Sequence, residues 1–239
     1  MKYRIYLVAI LFLKAIFSFS QGTPAVAPGT EAQELVRISD IYANAPNLSF
    51  SLKYTWADSL TWEDLTDSMF MSCKLSYGRA YASNPDIEVL RGNRYNVIVA
   101  ADDSLIFVYK RELDESLFKA PLLDSAFRRA HVQSMNITAD NDTTWRFNVV
   151  FLPGSYYSYY QMVYNPETGL IKSINYHGEN KEGAHDVPSD HVVCAFIYMI
   201  NYSGAEIDPV TFNENRYFYE LNGTLYLQPA WQQYHLQTN

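Results

Sequence analysis

Residues 154–177 read GSYYSYYQMVYNPETGLIKSINYH. Six of these residues are tyrosine, and aromatic or apolar side chains fill odd and even positions alike before the turn Asn165-Pro166-Glu167-Thr168-Gly169. Alternate residues of a strand face opposite sides. The spacing therefore predicts Tyr157, Tyr159, Gln161 and Val163 on one face and Tyr156, Tyr160, Met162 and Tyr164 on the other. Neither face is made for plain solvent. A strand that is apolar on both sides is one covered on both sides, and HVVCAFIYMINY at 191–202 repeats the pattern. The sheet must either fold over itself or curl around something and leave an apolar hollow.

The rest of the chain supplies mostly strands. NLSFSLKYTWA alternates strictly, with Leu48, Phe50, Leu52, Tyr54 and Trp56 pointing one way. DSMFMSCKLSYGRAYAS alternates through Met69, Met71, Cys73, Leu75 and Tyr77, and two turn signals, Arg91-Gly92-Asn93 and Asp102-Asp103-Ser104, break the next run into hairpins. VQSMNITA and TWRFNVVFL flank a turn at Asp140-Asn141-Asp142, and RYFYELNGTLYLQPAWQQYHLQ closes the chain with a hairpin through Asn222-Gly223. Only two helices are expected. Leu35, Ile38, Ile41, Tyr42 and Ala45 recur at helical spacing after Thr30, until Pro46 stops the run. Leu122, Leu123, Ala126 and Phe127 form one side of a second helix from about Pro121 to Ala130 that finishes on Arg128 and Arg129. The fold class is mainly β (α+β): a curved antiparallel sheet or incomplete barrel wrapped around an N-terminal helix and one inserted helix.

MKYRIYLVAILFLKAIFSFS at 1–20 has Lys2 and Arg4 ahead of an apolar run and small Ser18 and Ser20 after it, the layout of a secretory signal peptide cleaved near residue 20. Lys14 interrupts the run, which is shorter than the roughly 20 residues a bilayer span needs. Residues 21–30 form a flexible lead-in, and 31–239 a single antiparallel-sheet domain, periplasmic or secreted, with no stable membrane span after cleavage. Removal of the signal takes away Lys2, Arg4 and Lys14 and no acid, so the formal net charge goes from −8 to −11. That excludes a nucleic-acid partner, which requires clustered cations. Five Asn-x-Ser/Thr sequons, at Asn47, Asn136, Asn141, Asn201 and Asn222, matter only in a host that glycosylates them.

Signatures of chemistry are missing. There is no Gly-x-Ser-x-Gly, His-Glu-x-x-His, P-loop or dinucleotide fingerprint, so no catalytic residue, cofactor or enzyme activity is assigned. His185, Asp186, Asp190 and His191 share the loop at 178–191, but their spacing matches no ligand pattern; His185 and His191 are weak metal candidates and a solvated loop is the commoner reading. Cys73 and Cys194 fit either a disulfide between distant strands or two small buried hydrophobes.

The order of signal, amphipathic helix, long antiparallel meander, inserted helix and further strands, together with the turn Tyr164-Asn165-Pro166-Glu167-Thr168-Gly169-Leu170-Ile171, resembles the outer-membrane lipoprotein carrier superfamily of Lol-type periplasmic chaperones. That resemblance implies an incomplete barrel around helices, enclosing a cavity for acyl chains. No ligand-contacting residue of that family is matched to a position here. The reading is a non-enzymatic carrier or binding protein for an apolar or lipidated ligand, with Phe50, Leu52, Tyr54, Trp56, Met71, Tyr157 and Tyr159 as candidate lining residues. Two alternatives stand beside it: a protein-interaction module using an aromatic sheet face, and a carbohydrate-binding module with exposed, coplanar rings.

Overall fold

The computed structural model describes residues 30–57, 65–111, 122, 124–155, 157–179 and 192–238. The signal segment, the lead-in and the loop carrying His185 and His191 lie outside the described residues. Helix α1 (Thr30–Asn44) is followed by β1 (Leu48–Ala57), β2 (Leu65–Ser76), β3 (Arg79–Ser83), β4 (Ile87–Arg91), β5 (Tyr95–Ala100) and β6 (Leu105–Lys110). Helix α2 (Ser125–His131) leads into β7 (Val132–Asn141), β8 (Thr144–Phe151), β9 (Tyr157–Tyr164), β10 (Ile171–Glu179) and β11 (Val192–Ser203). The chain ends in β12 (Phe218–Leu221), β13 (Thr224–Leu227) and β14 (His235–Thr238).

Strands β1–β6 and β7–β11 are two antiparallel meanders joined along β1 and β11. They form one curved, open sheet in the order β14-β6-β5-β4-β3-β2-β1-β11-β10-β9-β8-β7, in which only β14 runs parallel to its neighbour β6. Alternation alone concealed one turn. Tyr77 and Gly78 both have positive φ (46° and 73°) and end β2, leaving the Tyr77 side chain exposed rather than in phase with Leu75.

Two cores form on opposite faces. On the first, the i, i+3, i+7 face of α1, Leu35, Ile38 and Tyr42, is buried against Phe50, Leu52, Met71, Cys73, Val149, Met162 and Ile197, and Phe127 of α2 packs at the margin. This is the helix face. On the second, the segment 204–238 covers the outer side of β4–β6: Ile207, Phe212, Tyr217 and Phe218 lie on Leu90, Val97, Val99, Ile106 and Val108. Hence β4 sends Ile87 and Val89 to one core and Leu90 to the other. The second cover serves β4–β6 and was not indicated by strand periodicity; the two-faced strands β9 and β11 are covered on the helix side, while Tyr198 and Ile200 on the outer side of β11 are exposed, contrary to the expectation of cover on both sides.

The turn that carried the family resemblance is where α1 is fixed to the sheet. The Asn165 side chain accepts from the amides of Glu167 and Thr168, and Arg37, forked onto Glu34 at 2.7 Å and 2.7 Å, donates to the Pro166 carbonyl at 3.0 Å. Gly169 has φ +71°, and a Cβ there would run into the Ile41 side chain. By contrast Gly154, at φ +86°, faces open space. Gly154→Ala is expected to cost only the backbone term, about 1–2 kcal/mol. Gly169→Ala also pushes aside the far end of the Ile41 side chain and is expected to cost somewhat more, about 1.5–3 kcal/mol. Urea midpoints of the two variants check this; equal losses would show that Ile41 moves aside without cost.

The disulfide reading is corrected. Cys73 is a free, buried thiol. It stands opposite Phe50 of β1, whereas Cys194 stands opposite Ala57 on the other flank of the same strand. Those two registers are on the order of 23 Å apart along β1 at ~3.3 Å per residue, far beyond disulfide reach. Burial pushes the Cys73 thiol up to about 12, so the native protein at pH 8 is expected to leave Cys73 unalkylated by iodoacetamide until denaturant is added, as read by mass spectrometry of its peptide.

Candidate functional site

Both helices sit on one face of the sheet, and the two ends of that face differ. At the end where β1 and β10 begin, a closed hydrogen-bond circuit seals α1 to the strands. The β9–β10 register slips between Ile171 and Ser173, and both backbone groups of Ile171 turn to tyrosines: its N–H donates to the Tyr42 hydroxyl at 2.8 Å and its carbonyl accepts from the Tyr202 hydroxyl at 2.6 Å. The two hydroxyls are 2.6 Å apart, so Tyr42 donates to Tyr202 and each hydroxyl donates once. Tyr202 reaches this position because Asn201, at φ +58°, inserts an extra residue into β11, which brings residue 202 instead of 201 to the helix face.

Burial raises the Tyr42 hydroxyl to about 12 and pushes Tyr202 up further, its neighbour Tyr42 adding to the effect. Both pKa values lie above the unfolded value near 10, so the stability they contribute is fully present below pH 10. It falls as pH rises through the folded values, because the unfolded chain then binds fewer protons than the native one. For Tyr42 this amounts to about 2–3 kcal/mol between pH 10 and pH 12. Tyr42→Phe is expected to cost on the order of 1–3 kcal/mol at pH 8, through the unpaired Ile171 amide. It should also flatten the alkaline loss relative to the parent chain in urea titrations at pH 8 to 12, and parallel pH curves would show that the circuit does not titrate in that range.

At the opposite end, where β1 and β10 finish and β9 begins, the helix face is aromatic. One cross-strand row runs Trp56 (β1), Ala195 (β11), Tyr176 (β10), Tyr160 (β9), Val149 (β8) and Met135 (β7). Trp56, Tyr176, Tyr160 and Met135 are partly buried, whereas Ala195 and Val149 are completely so. Tyr54 leans over the small Ala195 position: its hydroxyl is 3.0 Å from that of Tyr176, and its ring is 5.1 Å from Trp56. Tyr157 meets Tyr176 edge to face at 5.8 Å and Phe151 at 5.8 Å. Desolvation keeps the Tyr160 hydroxyl protonated far above neutral pH. The surface offers ring faces with hydroxyl tips, suited to holding an apolar body and orienting it by hydrogen bonds.

The candidate lining residues divide accordingly. Phe50, Leu52, Tyr54 and Met71 are at most 3% exposed and belong to the core. Trp56 and Tyr157 lie on the aromatic surface. Tyr159 does not share a face with Tyr157, contrary to strict alternation. Gly178 pairs with Tyr157 and His177 with Tyr159, so Ser158 is an inserted residue and the phase inverts between the two tyrosines. Tyr159 lies on the outer face, against His177 at 5.4 Å, bonded to Asn148 and Gln161. Periodicity alone passed over Tyr160, Tyr176 and Phe151; the signal for Tyr160 was its phase with Met162 and Tyr164, both fully buried. Among the described residues no group of three or more His, Cys, Asp or Glu side chains is placed to hold a metal ion. Nor, among them, is any helix long and apolar enough to cross a membrane.

No protein-family model matches the chain, and no curated protein matches it. Among solved structures it is similar to a DUF1329 family protein from Desulfovibrio piger, at 11% identity over 77% of this chain and 96% of that one, with a TM-score of 0.34. It is also similar to a putative outer membrane lipoprotein-sorting protein domain from Vibrio parahaemolyticus, at 8% identity over 77% of this chain and 96% of that one, with a TM-score of 0.34. The likeness is a weak one of fold.

Proposed function

We propose that this chain is a non-enzymatic carrier or binding protein, exported to the periplasm or secreted, that holds an apolar or lipidated ligand against the aromatic end of the helix face. The observation that carries this reading is the Trp56–Ala195–Tyr176–Tyr160 row. It places large rings on either side of a buried alanine, at the opposite end of the face from the polar circuit that fixes α1. Core side chains beneath the row fix the rings, so the surface is preorganised and binding does not have to order it.

The Ser158 bulge makes a sharp test available. Titration of the protein with a dansyl-labelled undecanoic acid is expected to raise dansyl emission at micromolar protein. Tyr157→Ala, on the helix face, should weaken that binding about tenfold, the scale of one lost aromatic contact. Tyr159→Ala, two residues away on the outer face, should leave it unchanged. Absence of any response, or equal loss in both variants, would remove the reading. In that case a protein-interaction module gains ground, and one observation favours it: Phe70, Tyr198 and Ile200 are exposed on the outer face of β2 and β11, around Lys53 of the strand between them.

A further inference from the structure

A second surface lies on the opposite side of the molecule from the helices. The β12–β13 hairpin, turned by Asn222 and Gly223 at φ 52° and 78°, sits on the second core through Phe218, Leu225 and Leu227. Its other face carries Tyr219 and Tyr226 as a direct cross-strand pair, rings 5.5 Å apart and within 21° of parallel, each 44% exposed. Beside Tyr219 is a shallow depression of about 530 Å³ lined also by Arg94, Asn215, Glu220, Asn222 and Gln228.

The charges on the walls of this depression are paired, so it is close to electrically neutral. Arg94 is paired with Glu220 at 2.6 Å, and the Tyr95 hydroxyl donates to the same carboxylate. The Glu214 carboxylate accepts from the backbone amides of Arg94 and Tyr95, holding that turn against the C-terminal segment. Gln228 is tied to the Asn215 carbonyl at 2.9 Å. The amides of Asn215 and Asn222 each bring a donor and an acceptor side by side. A paired cation and anion recognise neither a phosphate nor a metal ion, since each partner repels what the other attracts. An acyl chain has nothing to offer the polar lining. A molecule with many neutral hydroxyls and flat patches of C–H does: its hydroxyls meet the amides and the ion pair, and its C–H faces lie on the tyrosine rings.

We propose that the hairpin and its adjoining depression form a binding site for a neutral oligosaccharide, independent of the apolar-ligand surface. Successive pyranose units would stack on Tyr219 and Tyr226 while hydroxyls bond Asn215, Asn222 and the Arg94–Glu220 pair. The site adds a glycan contact to a protein whose helix face is occupied with other chemistry.

Isothermal titration of the intact chain with cellohexaose, laminarihexaose, maltohexaose and chitohexaose, one at a time, tests it. At least one is expected to bind with a Kd below a millimolar. Tyr219→Ala and Tyr226→Ala should each weaken it about tenfold. Asn222→Gly, which removes an amide while suiting the turn, should weaken it without a change in melting temperature, and Tyr157→Ala should have no effect. Four silent saccharides, or full affinity in the two tyrosine variants, would overturn the proposal. So would a matching loss in Tyr157→Ala, which would show that the sugar occupies the other face.

Discussion

The position of α1 depends on two tyrosine hydroxyls. Tyr42 comes from the helix and Tyr202 from β11, and between them they satisfy the N–H and the carbonyl of Ile171 on β10. A buried backbone group left without a partner costs about 1–3 kcal/mol, so the register slip at Ile171 is tolerable only with the helix in place. The helix in turn cannot slide, because Tyr42 has one partner geometry that completes the circuit. Apolar packing of Leu35 and Ile38 is strong and non-directional; the circuit supplies direction. Arg37 on Pro166 and Ile41 over Gly169 then fix the same end of the same helix a second time.

Irregularities in the strands, more than their regular parts, decide which side chains reach which face. Asn201 inserts one residue and delivers Tyr202 to the helix; Ser158 inserts one and separates Tyr157 from Tyr159; the slip before Ser173 frees Ile171 for the tyrosines. A bulge changes phase for everything beyond it. A sheet this long can thus present a polar outer row beside Tyr159 and an aromatic inner row through Tyr160 and Tyr157 from one tyrosine-rich strand.

Much of this was legible in the residues themselves. The alternation of Phe50, Leu52, Tyr54 and Trp56, the helical spacing of Leu35, Ile38 and Tyr42, and the Asn222-Gly223 hairpin all appear where periodicity and turn chemistry put them, because each is a local property. The bulge at Ser158 was not legible: an inserted residue is defined only against the partner strand, and Tyr-Ser-Tyr reads as unbroken alternation. The separation of Cys73 from Cys194 is likewise a matter of register on the two flanks of β1. The role of 204–238 as the cover of the outer face follows from which side of β4–β6 is left bare once the helices occupy the other, and no window of the chain contains that fact.

The asymmetry of the helix face bears on where the proposed apolar ligand would be held. At the Ile171 end Tyr42, Tyr202 and both backbone groups of Ile171 have their partners, so a ligand there would have to displace both tyrosines from a satisfied circuit. At the Trp56 end the small side chain of Ala195 stands in register between two large rings, and the Tyr54 and Tyr176 hydroxyls meet across it. A leucine or valine at 195 would pack that gap with no need of tyrosine, whereas alanine flanked by rings keeps the aromatic faces accessible at the margin of the core. The hydroxyl pair can exchange its mutual hydrogen bond for one to a ligand carbonyl or ester oxygen at little net cost, since a neutral bond is replaced by another of similar strength. Phenylalanine at 54 and 176 would preserve the packing but lose the 3.0 Å hydroxyl pair, so tyrosine at these two positions supplies a polar link that core packing alone does not.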